Sequence, residues 1–302
     1  MTPPSYDTFS QKDRLFSREQ IDDFAALMAR LRDLKLAGFY FRGQRDAGWK
    51  LYSWIQREWI QKDELATKLS SVADFNEQHL RYQQEHAARS LTEHTRQRND
   101  LADLSGLQHY GAPTPFLDFT SEIDSALFFA TDGMASANDR ETSQRVSIYA
   151  WKPGSGPATA SHNDMTNWET VVDNSGCIDG AVSLHVLCPI SVIYIKQDSG
   201  KFLQIANDRI DLQNGLFVYS PKAIREGMPY EELFTGMTID DVVDDYHGLF
   251  IPKMLCLDVD KGVAAKAIDY VRDQGVSKES LGLASGDWAR DTYDAFLKMI
   301  TG

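Results

Sequence analysis

Four short runs of β-branched and aromatic residues in the second half of the chain limit the folds that this sequence can adopt. They are "RVSIYAW" (145–151), "LHVLCPISVIYI" (184–195), "LQNGLFVYS" (212–220) and "KMLCLDVD" (253–260), and turn-forming residues bound each of them. Short runs of this composition favour strands. The sequence therefore predicts one sheet-containing α+β domain, with helices gathered at its N-terminal and C-terminal ends.

The first half of the chain is mainly helical in pattern. "SREQIDDFAALMARLRDLK" predicts one amphipathic helix that begins with a capping box at Ser17 and Gln20. "FYFRGQ" (39–44) predicts a short strand that ends at Gly43, and the charged stretch 54–108 predicts two or more surface helices. We further expect a strand at 116–119, followed by a helix that Thr120 or Ser121 opens.

Charge and composition narrow the classes of partner. The 302 residues include 31 basic and 44 acidic side chains, for a net charge of −13. Such a chain repels phosphate backbones at long range, which argues against nonspecific nucleic-acid binding and against anionic membranes, but permits a local basic pocket. The three cysteines are isolated from one another, and the start of the sequence lacks an apolar signal core. We expect a reduced, cytoplasmic protein.

Standard catalytic and metal-binding motifs are missing from the sequence. His79, His86 and His94 recur at spacings of seven and eight on the charged stretch, and we expect them to be solvated surface residues. "DDVVDDYH" (240–247) lacks the alternating oxygen ligands and the glycine of a calcium loop, so a solvated helix face is expected there. No metal site is predicted.

Polar residues beside glycines occur on three separate segments, and they are the candidate site. An arginine is suited to two oxygens of a phosphate, and a helix start presents free N–H groups to an anion. The candidates are Arg42, Gly43 and Gln44; His109, Tyr110, Asp118, Thr120 and Ser121; and Arg209 and Gln213. We expect the three segments to meet around one pocket.

Each candidate also has a purely structural interpretation. Arg42 could pair with Asp118 in a buried salt bridge, since a buried arginine needs such a partner. Ser121 could serve as the cap of the following helix and nothing more, and Gln213 could serve simply to satisfy the backbone of a β-bulge. The sequence leaves both interpretations open.

These segments resemble the signature blocks of the FRG-domain family, which is named for a Phe-Arg-Gly motif. The blocks are "FRGQ" (41–44) with Trp49, "RNDLADLSGLQHYGAPTPFLDFTSEIDSALFFA" (98–130) and "RIDLQNGLFVYSP" (209–221), and "IPKMLCLDVDKGVAAKAIDYVRDQGV" (251–276) resembles the family's closing strand and helix. The resemblance implies a lead-in over 1–19, an FRG domain over 20–283 with a helical insertion near 54–108, and an extension over 284–302. This chain departs from the family pattern at two positions: relatives usually have arginine where this chain has Pro115, and tryptophan where it has Phe119.

The order of these blocks is similar to an ADP-ribosyltransferase arrangement, and NAD is the substrate that this resemblance implies. By position, Arg42 with Gly43 and Gln44 would hold phosphate or ribose. Thr120 and Ser121 would shape the nicotinamide pocket. Gln213 would bond to ribose.

The same resemblance implies how chemistry would proceed. His109, Tyr110 and Asp118 would line the reacting end, with Asp118 or Glu122 supplying negative charge and His109 acting as general acid or base. The family occurs mostly in bacteria and phages, which suggests a toxin or phage-defence effector that acts on a protein target or answers to a regulatory partner.

Two other functions are compatible with the same residues. The motif side chains could form an internal polar network in a non-catalytic binding or regulatory module. Alternatively, the acidic residues could serve a metal-dependent hydrolase or nuclease, although no ligand spacing favours that reading.

Overall fold

The structure is a computed structural model, and it describes residues 4–94, 100–134, 143–151, 177–178, 181–182, 191–194, 212–219, 254–283 and 288–302. The sequence candidates Arg209, Cys188 and 240–247 lie outside these ranges, as does the side chain of His94. None of the described helices is long and apolar enough to cross a bilayer.

Helices and strands alternate irregularly along the chain. The helices are α1 (Phe9–Leu15), α2 (Phe24–Leu36), α3 (Trp54–Gln61), α4 (Asp63–Lys68), α5 (Val72–His86), α6 (Ala88–His94), α7 (Asp100–His109), α8 (Ile123–Thr131), α9 (Lys261–Asp273) and α10 (Trp288–Thr301). The strands are β1 (Ser17–Ile21), β2 (Tyr40–Gln44), β3 (Leu117–Thr120), β4 (Arg145–Trp151), β5 (Cys177–Ile178), β6 (Ala181–Val182), β7 (Ser191–Tyr194), β8 (Gly215–Tyr219) and β9 (Leu255–Asp260).

Seven of these strands form one mixed sheet in the order β1-β9-β4-β2-β3-β8-β7, and β5 with β6 forms a separate small hairpin. β1 runs parallel to β9, and the other neighbours in the sheet are antiparallel. The predicted α+β class is therefore confirmed. Strand β2, which carries the Phe-Arg-Gly motif, lies in the middle of the sheet between β4 and β3.

Hydrophobic side chains cover both faces of the sheet. On one face, Phe41, Ile148 and Leu257 pack with residues of α2, α8 and α9. On the opposite face, a second cluster forms around Tyr149 and Phe119. Alternate residues of a strand point to opposite faces, so this two-sided burial explains the nearly continuous apolar runs in β4 and β9.

A third cluster joins the helices of the charged stretch to the C-terminal helix. Phe75 and Leu80 of α5 pack against Tyr293 and Phe296 of α10. This packing corrects the prediction for His79, which is buried between the Tyr293 and Phe296 rings instead of exposed. Burial lowers the pKa of His79 to about 3, so the imidazole stays neutral in this apolar surrounding.

The first predicted helix is wrong at its N-terminal end. Residues 17–21 form the edge strand β1, and α2 begins only after Asp23, whose side chain accepts the N–H of Ala26. Pairing with β9 overrides the helical periodicity of this segment, because it satisfies the backbone of β1 and places Ile21 against the core. The predicted capping box of Ser17 and Gln20 does not form.

Some of the other predicted helices and strands match the structure, and others differ from it. β4 matches the predicted run 145–151, and β8 and β9 lie within theirs. Gly43 does not end β2, because the strand continues to Gln44. Residues 278–283 form turns after α9, and α10 lies where the sequence predicts only an extension over 284–302. Cys256 is buried, and burial raises the pKa of its thiol to about 12.

A buried ion network holds α1 against the sheet. Lys12 is fully buried, and its Nζ donates to Asp258 Oδ1 at 2.6 Å, to Ser147 Oγ at 2.7 Å and to the Ala47 carbonyl at 3.0 Å. Arg18 Nε donates to the other oxygen of Asp258 at 2.6 Å. One buried carboxylate on β9 thus joins α1, β1 and β4.

We expect Lys12→Met to lower the free energy of unfolding by about 3 kcal/mol, because loss of one partner leaves the buried Asp258 incompletely compensated. Urea denaturation measures the change. Lys35→Met is the matched control: Lys35 pairs with Glu122 at 2.6 Å while both side chains are about 40% exposed, and we expect a change below about 1 kcal/mol there. Equal effects from the two substitutions would contradict a structural role for the buried network.

Candidate functional site

The candidate site lies where strands β2 and β3 separate. Phe41 and Thr120 are the one registered pair between them in the described part of the chain, although continued antiparallel pairing would place Arg42 opposite Phe119 and Gly43 opposite Asp118. Strand β3 instead keeps its full register with β8 on the other side, including Asp118 with Phe217. The separation opens the sheet between its two central motif strands.

The Arg42 side chain bridges this separation. Its Nη1 donates to the Asp118 carbonyl at 3.1 Å and lies 3.6 Å from Asp118 Oδ2. Within the described ranges, Nη1 is the one guanidinium nitrogen with a protein acceptor, and the buried Nε has none. Since 16% of the Arg42 side chain remains exposed, part of it faces an opening and is not sealed in the core.

That opening is a cleft of about 170 Å³. Its walls come from β2, β3, α8 and the turn before β8: Phe41, Arg42, Gly43, Asp118, Phe119, Thr120, Phe129 and Gln213. The three polar segments singled out in the sequence therefore each contribute to one concave surface. A typical ligand pocket has about 300–1,000 Å³, so this cleft accommodates one group of a ligand, not a whole dinucleotide.

The carboxylate of Asp118 faces the cleft beside Arg42. Its Oδ1 accepts a hydrogen bond from Gln108 Nε2 at 2.8 Å, and 46% of the side chain is exposed. At 3.6 Å, the contact between Oδ2 and Arg42 Nη1 is too long for a hydrogen bond but close enough for an ion pair. The buried salt bridge proposed as the structural alternative is therefore present only as a loose, half-exposed pair.

Partial desolvation beside Arg42 raises the pKa of Asp118, and the charges of Arg42 and Arg57 with the Gln108 hydrogen bond act in the opposite direction. Arg57, on α3, is itself perturbed: burial and then the like charge of Arg42 lower its pKa to about 10. Two guanidinium groups thus share the neighbourhood of Asp118, and the Glu58 carboxylate also acts on Arg57.

The rim of the cleft is built from two turns that are bonded to each other. Thr120 Oγ1 donates to the Gln213 carbonyl at 2.6 Å and accepts the Glu122 N–H at 2.9 Å. The Ser121 N–H donates to the Asn214 carbonyl at 3.1 Å. Gln213 lines the cleft, and its side-chain Nε2 donates to the Leu281 carbonyl at 3.0 Å. These bonds fix the position of Gln213 relative to β3.

Gly43 has a packing role that the sequence analysis did not assign. A Cβ at this position would lie 2.1 Å from the Ala126 carbonyl oxygen and 2.4 Å from the Ala130 nitrogen, both in the backbone of α8. The glycine therefore permits close approach of α8 to β2, and it also forms part of the cleft wall. The family resemblance by itself implies only a contact of Gly43 with phosphate or ribose.

Four candidates do not line the cleft. Gln44 Nε2 donates to the Trp49 carbonyl at 2.7 Å, so its amide serves the loop after β2. The His109 ring lies 5.4 Å from Phe217, and the Tyr110 ring stacks on Trp288 at 5.3 Å. Ser121 lies at the start of α8 but is not its cap: the N-cap is Glu122, and Ser121 Oγ approaches Glu122 Oε1 at 3.4 Å.

Two residues near the cleft were missed by sequence reasoning, Gln108 and Arg57. Gln108 lies within the quoted motif block one residue before His109, but it carried no ionisable group to draw attention. Arg57 lies among many other charges on a segment expected to face solvent. No group of three or more His, Cys, Asp or Glu side chains suited to a metal ion occurs in the described ranges.

The raised pKa of Asp118 predicts a pH dependence of stability. A carboxyl group with a higher pKa in the folded state contributes stability that is complete below its unfolded value near 3.8 and is lost as pH rises through the folded value. The stability of the native protein relative to Asp118→Asn should therefore fall as pH rises from about 3.8. Denaturant titrations of both proteins across this range test the sign, and a rising difference would contradict it.

We expect Gly43→Ala to cost at least about 3 kcal/mol, because the new methyl group meets helix backbone that cannot move aside without shifting α8. Gly275→Ala is the control, since its Cβ would meet nothing within 4 Å and only the positive φ of 76° opposes it. That strain is worth about 1–2 kcal/mol. A Gly43→Ala protein with native stability would disprove the close approach.

Comparison with known proteins identifies one domain. A family model of the FRG domain matches residues 37–139, a range that includes β2 with Arg42 and β3 with Asp118. No curated protein and no solved structure matches the chain. These comparisons give no support to the ADP-ribosyltransferase resemblance. Residues 37–139 thus match the FRG-domain family model, and the motif arginine in this range lies on the wall of the cleft between β2 and β3.

Proposed function

We propose that the FRG domain binds a phosphate-containing nucleotide, with NAD as the first candidate, and that Arg42 contacts an anionic group of this ligand. The observation that carries the proposal is the incompletely bonded Arg42 guanidinium on the wall of an open cleft. A guanidinium has five N–H donors in a planar fork that matches phosphate oxygens. In the described part of the chain, Arg42 uses donors of only one nitrogen on protein.

Arg42 is the cation among the residues that line the cleft, and Asp118 is the acid beside it. Arg57 adds a second cation nearby, and Glu58 adds a second carboxylate that acts on Arg57. An anionic ligand would meet the Arg42 guanidinium locally, although the net charge of the chain is −13. The size of the cleft suits one phosphate or one ring of a nucleotide, with the remainder of the ligand extending outward.

A reaction at this site would be cleavage of the bond between nicotinamide and ribose. The bonding electrons leave with nicotinamide, and the ribose carbon gains oxocarbenium character. A carboxylate stabilises such a cation, which gives Asp118 the electrostatic role, because Gln213 is neutral. Water or a nucleophile on a protein target would then complete hydrolysis or transfer. An NAD-consuming effector of this kind, toxic to the cell or active in phage defence, would act in the cytoplasm.

Calorimetric titration with NAD, ADP-ribose and inorganic phosphate at millimolar concentration tests binding. We expect Arg42→Ala to weaken binding roughly ten- to hundredfold, because a hydrogen bond to a charged group contributes about 1.5–3 kcal/mol. Arg30→Ala is the control, since Arg30 pairs with Glu19 on the surface. Because the Arg42–Asp118 pair is loose, the Arg42→Ala protein should also keep a near-native melting temperature.

The alternative is a non-catalytic module in which the motif residues only support the fold. It would be favoured by absence of binding to all three ligands together with a sharp loss of stability in Arg42→Ala. Binding without turnover would support a nucleotide sensor. If NAD is consumed, we expect Asp118→Asn to reduce the rate about a hundredfold or more, as measured by release of nicotinamide.

A further inference from the structure

Gln108 has contacts that fix the direction of its side-chain amide. Its Oε1 accepts a hydrogen bond from the buried Thr114 hydroxyl, and its Nε2 lies 2.8 Å from Asp118 Oδ1. The Thr114 oxygen also accepts the N–H of Phe116 at 3.4 Å, and Gln108 Nε2 lies 3.4 Å from the Phe116 carbonyl. Because a carboxylate and a carbonyl only accept hydrogen bonds, the NH₂ group of Gln108 must face the Asp118 carboxylate.

This arrangement leaves the two oxygens of Asp118 in different surroundings. Oδ1 is bonded to Gln108, while Oδ2 lies 3.6 Å from Arg42 Nη1 without a hydrogen bond to it. The Asp118 side chain lines the cleft and is 46% exposed. The carboxylate therefore has unused acceptor capacity directed at the same space as the Arg42 guanidinium.

We propose that Gln108 is a positioning residue that holds Asp118, so that this carboxylate accepts hydrogen bonds from hydroxyl or amide donors of the ligand whose anionic group Arg42 binds. The ligand is then a sugar phosphate or nucleotide, whose hydroxyl or amide groups donate to Asp118, and not a simple inorganic anion. The inference rests on the proposed function for its ligand, while the positioning of Asp118 is independent of any ligand.

Within the described residues, the groups that act on the Asp118 carboxylate come from three elements. Arg42 of β2 and Arg57 of α3 act through their charges, and Gln108 of α7 acts through its hydrogen bond. All three favour the ionised form against desolvation. Removal of the Gln108 donor leaves the two cations in place and should shift the Asp118 titration to higher pH.

Carbon-13 NMR of the Asp118 carboxyl group tests the positioning directly, with the resonance assigned by its absence in Asp118→Asn. We expect Gln108→Met to raise the titration midpoint by at least about half a pH unit. Gln84→Met is the matched control. Gln84 Nε2 also donates to an aspartate, Asp100, in a hydrogen bond of 2.8 Å, and this pair does not line the cleft. The control should leave the Asp118 midpoint unchanged.

Thr114→Val is a second variant in case Gln108→Met fails to fold. It removes the hydroxyl that fixes the amide, so the midpoint should shift in the same direction by a smaller amount. If folded variants at 108 and 114 titrate as the native protein does, the positioning role of Gln108 is overturned.

Binding of ADP-ribose and of inorganic sulfate tests the ligand class, because sulfate at neutral pH is an anion without hydrogen-bond donors. We expect Gln108→Met to weaken the binding of ADP-ribose about tenfold and to leave the binding of sulfate within about twofold, because only ADP-ribose has donors for Asp118. Equal weakening of both ligands would overturn the inference. If the native protein binds neither ligand, the proposed function and the ligand class both fail, whereas a shifted Asp118 titration would still establish the positioning role.

Discussion

The separation of β2 from β3 is the constraint on which the candidate site depends. A central sheet position normally uses its backbone groups in ladder hydrogen bonds, but here the register is confined to Phe41 and Thr120. Arg42 donates from its side chain to the Asp118 carbonyl at 3.1 Å. This side chain is also the cation of the cleft, so the motif arginine lies at the point where the two strands separate.

The surrounding structure holds the separated strands in place. On one side of the sheet, α8 packs directly against Gly43, where there is no space for a Cβ. At the rim, Thr120 connects β3 to the turn before β8 through its bond to the Gln213 carbonyl. Farther along the sheet, the buried Lys12, Asp258 and Ser147 network ties α1 to β4 and β9. The cleft is thus supported by packing and by hydrogen bonds that do not involve ligand.

Sequence patterns predicted the α+β class, most strands, and the meeting of Arg42, Asp118, Thr120 and Gln213, because these depend on local composition and on motif blocks. They failed where tertiary contacts decided the outcome. Residues 17–21 follow a helical period but pair with β9, and His79 lies in a charged stretch but packs between α10 aromatics. Gln108 and Arg57 were missed because their importance lies in proximity to Asp118, which no spacing along the chain reveals.

The most direct test of the account follows the Arg42 guanidinium itself. Nitrogen-15 NMR resolves arginine side-chain N–H resonances, and Arg42→Lys identifies the resonance of residue 42 by its loss. On addition of ADP-ribose, we expect the Arg42 resonance to shift in a saturable manner. The side-chain resonance of Arg30, which lies on the surface, should not shift. An Arg42 resonance unaffected by ADP-ribose, NAD and phosphate at millimolar concentration would contradict the claim that the cleft binds anions through this residue.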